Sequence, residues 1–321
     1  MDVYAKQKAA FAARLAEGRA AHAYILEGDD GDETRRFALY MAAALLCTGD
    51  KPPCGRCASC RKALAGGETL HPDIHVFEPE KNAGFSVETV RGIRKSVYLL
   101  PNEGDRKVYI LCGAQKMSRS AQNALLKLFE EPPASASFVI CCDRRDALLP
   151  TVLSRALLIP LGPLDDRTLR AYLADRHRDA PADRLDAAVR FAQGSIGRAA
   201  SFLTPASQEA SRAAADFCAL LFAKGGTFAL AAQALPLSAK RDGFDAFLAF
   251  VELYLLDVLH AHTGGPPPLL APSAAEEYRA ASTRRGLCGA LDALSESRAH
   301  LAANANGRLT ATLLCTRLSA L

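Results

Sequence analysis

The feature that most constrains the fold is the alternation of short apolar runs with amphipathic segments in the first half of the chain. The run 108–112 is apolar or aromatic throughout, which is typical of a strand buried on both faces of a parallel sheet. A helix should follow, because alanines and leucines recur at helical spacing from Ala121 to Leu128 until Pro132 ends the pattern. Further strands are predicted at 23–26, 74–77, 138–142 and 156–159. Strands alternating with helices indicate a mostly parallel sheet covered on both faces.

The character of the sequence changes after Pro160. Alanine and leucine dominate the remainder, and strand patterns are no longer found. Helical composition predicts three short helices between 165 and 203, followed by a separate helical domain. We therefore predict an α/β domain over 1–162, a three-helix unit over 163–205 and an all-α domain over 206–321.

Composition limits the class of protein. The 321 residues are 50% hydrophobic and 23% charged, which excludes disordered and collagen-like chains. The net charge of +4 is milder than that of a protein that coats DNA. The first ten residues lack the apolar core of a signal peptide, and the most apolar helical stretch, 244–259, contains three acids and is too short to span a bilayer. We expect a cytoplasmic protein without a membrane partner, in a reducing compartment where clustered cysteines indicate a metal.

Four of the ten cysteines form a C-x6-C-x2-C-x2-C motif, at Cys47, Cys54, Cys57 and Cys60. Four thiolates this close in sequence can surround one tetrahedral Zn²⁺, and the prolines and glycine between them keep the segment out of a regular helix. Because four protein sulfurs leave no open position for water, the zinc would be structural. The alternative is a set of free thiols.

The loop after the first predicted strand stands where a phosphate-binding loop, G-x-x-x-x-G-K-[ST], would lie. Gly28 occupies the first glycine position. Glu33 replaces the second glycine, Thr34 replaces the lysine, and Arg35 replaces the hydroxyl residue that binds Mg²⁺. The loop, which also contains Gly31, has acids at 29, 30, 32 and 33, each of which would repel a triphosphate by about 1 kcal/mol. We therefore expect no productive ATP binding; partial compensation by Arg35 and an ordinary surface loop both stay open.

The strand at 108–111 gives the same indication. Nucleotide hydrolysis in this kind of fold needs acids at the end of a buried strand, to hold Mg²⁺ and orient water. Here the strand ends in Cys112 and Gly113. Two independent losses predict a protein with no ATPase activity of its own.

The segment 117–133, MSRSAQNALLKLFEEPP, resembles the clamp-loader subunits of bacterial DNA polymerase III. Other motifs of that family are matched by the four cysteines and by residues 22–24, 71–73, 149–155 and 304–306. Ala156 stands where the family carries a cysteine after Ser154 and Arg155. The resemblance implies a P-loop NTPase-type (AAA+) α/β domain with a zinc module at about 47–60. It also implies that 163–205 is a lid domain and 206–321 a collar domain that assembles a five-subunit ring.

Within that family, the gamma/tau subunits keep a working phosphate loop and an Asp-Glu pair, and this chain has neither. It also has Gly197 where they carry a sensor arginine. The chain is therefore similar to the delta-prime branch, which does not hydrolyse ATP. The resemblance implies a subunit of the polymerase holoenzyme that helps load the sliding clamp onto primer–template DNA, with gamma/tau and delta subunits as partners.

The resemblance also implies that Arg155, beside Ser154, acts in trans at a neighbouring subunit's ATP. A rigid, permanently charged guanidinium suits the stabilisation of phosphate charge. Without the resemblance, an arginine at this place is most often a surface or ion-pairing group.

Two alternative functions remain open at this point. A divergent gamma/tau-type ATPase would bind and hydrolyse nucleotide as an isolated protein. A stand-alone zinc protein would bind nucleic acid without partners, with a salt-dependent affinity. Few aromatic residues accompany the basic ones near the cysteines, so the stacking signature of single-strand binding is absent.

Overall fold

The computed structural model describes residues 2–28, 31–65, 69–79, 84–265, 272–303 and 305–319. Positions 29, 30 and 304, which entered the sequence predictions, lie outside these ranges. The chain divides into two compact units. The first comprises Met1–Thr168 with Gly194–Gly197, and the second comprises Leu169–Gln193 with Arg198–Leu321. The finer boundaries of a lid over 163–205 and a collar over 206–321 stay predictions.

The first unit is built on a five-stranded sheet in the order β2-β3-β4-β1-β5. The strands are β1 (Ala23–Glu27), β2 (Ile74–Phe77), β3 (Lys107–Leu111), β4 (Ala136–Cys142) and β5 (Leu157–Pro160). Every pairing is parallel; Ile25 of β1, for example, lies opposite Ile140 of β4 and Leu158 of β5. The predicted parallel α/β domain is thus confirmed, and β3 and β4 are buried at every residue.

Helices cover the sheet and begin where the sequence provides caps. In the described part of this unit they are α1 (Ala5–Ala16), α2 (Asp32–Leu45), α3 (Ala58–Ala63), α4 (Val87–Ser96), α5 (Arg119–Glu130) and α6 (Pro150–Leu153). Ser86 and Ser118 cap α4 and α5 by accepting a hydrogen bond from the backbone N–H three residues on. The prediction that the cysteine segment stays out of a regular helix is wrong at its end: α3 begins after the prolines and Gly55, from a cap at Cys57, and contains Cys60.

The two faces of the sheet pack against different helices. Ile25, Tyr109 and Phe138 belong to a core shared with buried residues of α4 and α5. On the other face Tyr24 meets Phe11 of α1 edge-on, with ring centroids 5.3 Å apart. With both faces covered, the loops at the carboxyl ends of the parallel strands are the natural place for a ligand site.

The strands of the described chain all lie in the first unit, and the second unit is built from helices, of which α7 and α9 begin in residues of the first. The chain here forms α7 (Asp166–Arg176), α8 (Ala182–Ala192), α9 (Ile196–Phe202), α10 (Pro205–Phe222), α11 (Thr227–Leu237), α12 (Arg241–Thr263), α13 (Pro272–Ala280), α14 (Arg284–Ala302) and α15 (Gly307–Leu318). Phe217 and Phe247 pack edge to face in its core, with centroids 5.3 Å apart. The predicted helical C-terminal part is confirmed. No helix within the described ranges combines the length and the apolarity that a bilayer span requires.

Candidate functional site

A pocket of about 270 Å³ opens at the carboxyl ends of β1, β3 and β4. The predicted loop residues Gly28, Gly31, Thr34 and Arg35 line it, together with Cys112. Gly31 is the N-cap of α2 in an extended conformation, so the N-terminus of α2 lies at the pocket. Of the remaining residues predicted for this site, Glu33 and Gly113 are not among its lining residues. Glu33 instead pairs with Arg36 at 3.3 Å.

The pocket lining contains two acids, Asp32 and Glu78, and two basic residues, Arg35 and Lys116, and one ion pair forms among them. Nε of Arg35 lies 3.2 Å from Oε1 of Glu78, which follows β2 at the same edge of the sheet. Thr34, in the position of the phosphate-binding lysine, is 4% exposed. A guanidinium paired with a carboxylate offers less attraction to a phosphate, so the compensation expected of Arg35 is weakened. Glu78 was not predicted as a site residue, although its position directly after a predicted strand was a sign that it lies at this end of the sheet.

The end of β3 carries a thiol at the edge of this pocket. Cys112 is buried, and its backbone N–H donates to the carbonyl of Phe77 at 2.9 Å. Gly113 has a φ of 68°, a conformation that favours glycine over a residue with a side chain. The acidic side chains in the described lining are Asp32 and Glu78, and neither of them follows β3. Gly197 lies near Gly31: if Gly31 carried a Cβ, that atom would lie 3.9 Å from the Cα of Gly197.

The four cysteines of the motif come together in space. Their sulfur atoms all lie within 4.8 Å of one another. Tetrahedral Zn²⁺ with Zn–S distances of about 2.3 Å would place the sulfurs about 3.8 Å apart, so the cluster is near that spacing. Backbone N–H groups of Gly49 and Cys54 donate to Sγ of Cys47, at 3.4 and 3.3 Å. Those of Cys57 and Cys60 donate to Sγ of Cys54 and of Cys57, both at 3.3 Å.

These N–H donors favour thiolates, as a metal site requires. The hydrogen bond from the backbone of Cys57 is the main reason that the pKa of Cys54 is lowered. Burial raises the pKa of Cys57, but the N–H groups of Cys60 and Thr48 outweigh it and bring that pKa to about 6. Burial raises the pKa of Cys60 to about 12, so this thiol would lose its proton when a cation binds. The cluster is therefore able to hold a metal ion.

Arg155 lies at the amino ends of the strands, whereas the pocket lies at their carboxyl ends. It precedes β5, which begins at Leu157 beside Tyr24 at the amino end of β1, whereas Gly28 follows the carboxyl end of β1. From Tyr24 to Gly28 the chain is extended over four residues at about 3.3 Å each, so the amino and carboxyl ends of the strand are about 13 Å apart. A nucleotide in the pocket of this chain is therefore out of reach of its guanidinium.

The guanidinium of Arg155 is 35% exposed and is held by three oxygen atoms. Nη1 donates to the carbonyl of Thr151 at 3.0 Å and to Oγ of Ser154 at 3.3 Å. Nη2 lies 3.0 Å from Oε1 of Glu130, at the end of α5. Ser154, predicted only as the neighbour of Arg155, thus contacts it directly.

A buried glutamine fixes the start of the segment that carries Arg155. Nε2 of Gln122 donates to the carbonyls of Ala147 and Met117, at 3.1 and 3.3 Å. Its Oε1 accepts a hydrogen bond from the backbone N–H of Leu149 at 2.7 Å. No separate role was predicted for Gln122, which entered the sequence analysis only as part of the segment 117–133.

The fold and the site together define a parallel α/β domain with a pocket at the carboxyl ends of its strands and with Arg155 at their amino ends. The family described as DNA polymerase III, delta subunit, matches residues 4–165. The delta′ subunit of Escherichia coli is 30% identical over 251 residues, which cover 77% of this chain and 72% of that protein. The chain belongs to the delta′ family of DNA polymerase III subunits.

Two other relatives match over shorter segments. The delta′ subunit of Pseudomonas aeruginosa is 33% identical over 197 residues, covering 60% of this chain and 59% of that protein. The delta′ subunit of Bacillus subtilis is 29% identical over 165 residues, covering 50% and 48%. The matches thus span about half of one of these relatives and about three fifths of the other.

Proposed function

We propose that this chain is a non-catalytic subunit of a DNA polymerase III clamp loader and helps load the sliding clamp onto primed DNA. Membership of the delta′ family supports this assignment. Gamma/tau and delta subunits are its proposed partners, and the clamp and the primer–template DNA are contacted through the complex. In this proposal residues 163–205 are the lid and residues 206–321 the collar.

The replaced phosphate loop supports the absence of intrinsic ATPase activity. Thr34 carries no positive charge, Arg35 is paired with Glu78, and a thiol follows β3 where Mg²⁺ would need a carboxylate. In this proposal the pocket at Gly28 contributes to the shape of the domain and catalyses no reaction.

The position of Arg155 is the observation that carries the proposal for a role in trans. The Arg155 side chain is partly exposed and lies at the end of the strands away from the pocket of its own chain. Its guanidinium is therefore available to an anion supplied by another subunit. In the proposed ring it stabilises the charge that develops on a neighbour's γ-phosphate.

The proposed metal is a structural Zn²⁺ held by Cys47, Cys54, Cys57 and Cys60. The close spacing of the sulfurs and the N–H donors around them support this choice. Such an ion would link α3 to the loop that follows α2, and four sulfur ligands would leave it no catalytic position.

The test is ATP turnover of the reconstituted loader with the clamp and primed DNA. Arg155→Ala should lower kcat, since an arginine in trans is worth about 10³–10⁵ at the site it serves. Arg155→Lys should lower it too, because an ammonium lacks the planar fork. Arg91→Ala is the matched control: Arg91 is 67% exposed and pairs with Glu88 on its own helix. Unchanged turnover with Arg155→Ala would refute the role.

A further inference from the structure

We propose that Glu130 is a positioning residue that holds the guanidinium of Arg155 in place, an inference that rests on the proposed function of Arg155. Two of the three oxygen atoms that Arg155 contacts belong to its own turn, at Thr151 and Ser154. The third is Oε1 of Glu130, 3.0 Å from Nη2, and it comes from another element. Glu130 thus links the arginine to the body of the domain.

The helix that carries Glu130 is firmly anchored. Glu130 is the last residue of α5, directly after the buried Leu128 and Phe129. The Phe129 ring packs edge-on against Phe138 of β4, with centroids 5.3 Å apart. A functional group held from a helix in the core is placed more accurately than one held only from its own loop.

Helix α5 holds the segment between β4 and β5 at two points. In its first turn Gln122 binds the backbone of Ala147 and Leu149, in the middle of the segment and directly before α6. Eight residues later, about 12 Å along the helix, Glu130 binds Arg155, where the segment ends. The short α6 lies between these points, so one rigid helix determines where both of its ends lie.

The contact orients the guanidinium without covering it. The side chains of Arg155 and Glu130 are 35% and 48% exposed. Guanidinium has five N–H donors, more than the three contacts use, so a phosphate can bind while Glu130 keeps its hold. An orientation set before the phosphate arrives saves reorganisation during the reaction.

The first test measures the order of Arg155 in the isolated, folded protein, by ¹⁵N relaxation of its Nε–Hε group. Glu130→Ala should lower the order parameter. Glu130→Gln should lower it as well, because the contact with Nη2 is an ion pair and the amide carries no charge. Glu131→Ala, which removes the adjacent exposed carboxylate, is the control and should have no effect. An order parameter unchanged in Glu130→Ala would overturn the proposal.

The second test uses ATP turnover of the reconstituted loader. Glu130→Ala should lower kcat about two- to fivefold with KM for ATP unchanged, and Glu130→Gln, which removes the charge of the ion pair, should lower it too. In the Arg155→Ala background, Glu130→Ala should cause no additional loss, since Glu130 acts through Arg155. A rise in kcat with Glu130→Ala would mean that Glu130 restrains the arginine, and would also overturn the proposal.

The two readouts separate this inference from the proposed function. If Arg155→Ala leaves turnover unchanged while Glu130→Ala disorders Arg155, the role in trans fails and the positioning contact stands. If Arg155→Ala lowers turnover while Glu130→Ala changes neither the order of Arg155 nor kcat, the role in trans stands and Glu130 is not its positioning residue.

Discussion

Replacing Asp73 by asparagine is predicted to lower the free energy of unfolding by about 2 kcal/mol at neutral pH. Asp73 follows His71 and Pro72 in the 71–73 motif, and it is fully buried. Its carboxylate accepts hydrogen bonds from the backbone N–H groups of Asn102, Glu103 and Gly104 at 2.6, 2.8 and 2.9 Å. The side-chain amide of Asn102 donates a fourth at 3.0 Å. This carboxylate therefore fixes the loop that precedes β3.

The magnitude follows from the pKa of this carboxyl group. Burial alone would raise the pKa of Asp73, but the N–H donors of residues 102–104 outweigh it and lower the pKa from 3.8 to about 2. That difference is worth about 2 kcal/mol at about 1.36 kcal/mol per pKa unit. Because the pKa is lowered in the folded state, the stabilisation is fully present above pH 4 and is lost as the pH falls towards 2. An asparagine cannot replace it, since its NH2 group would face N–H donors.

The assay is urea unfolding followed by far-UV circular dichroism, on wild type and Asp73→Asn, at several pH values between 7 and 2.5. The difference in stability should be about 2 kcal/mol at pH 7 and should shrink steadily below pH 4. Asp105→Asn is the matched control, because that carboxylate is 76% exposed and should alter stability by less than about 0.5 kcal/mol. A difference that stayed constant down to pH 3, or was absent at pH 7, would refute the reasoning.

Two further predictions concern the cysteine cluster and the buried glutamine. Purified protein should contain about one zinc per chain by elemental analysis. Cys57→Ala should lose the zinc, and Cys288→Ala should keep it, because Cys288 is an exposed thiol outside the cluster. Full zinc content in Cys57→Ala would contradict the site. Gln122→Ala should lower the free energy of unfolding by about 2–3 kcal/mol, because the N–H of Leu149 and the carbonyl of Ala147 lose their partner; a loss below about 0.5 kcal/mol in urea titration would count against this.

The sheet could be predicted because its central strands are buried on both faces. β3 and β4 appear in the sequence as unbroken apolar runs, and this pattern depends on local composition alone. The bounds of β5 were less certain, since it pairs only with β1 at the edge of the sheet and includes Pro160, which an edge strand tolerates. The short α3 has too few residues for a periodic pattern, and it starts from a thiol cap at Cys57.

The candidate site was predictable to the extent that its residues are neighbours in sequence. The cysteine cluster is the clearest case, because spacing alone brings its ligands together. The contacts of Glu78 with Arg35, of Gln122 with Leu149 and of Glu130 with Arg155 join residues on different elements. Strand order and helix placement create these contacts, and no spacing rule expresses them. The zinc, the role of Arg155 in trans and the domain boundaries at 162 and 205 stay predictions.

The most direct test of the central claim is ATP turnover by the purified chain without other subunits, with Mg²⁺ present and nucleotide binding measured in parallel by calorimetry. The account predicts no turnover and no tight binding, because Thr34 and Cys112 stand where a lysine and a carboxylate would be needed. Tight uptake of ATP with steady hydrolysis by the isolated chain would contradict it.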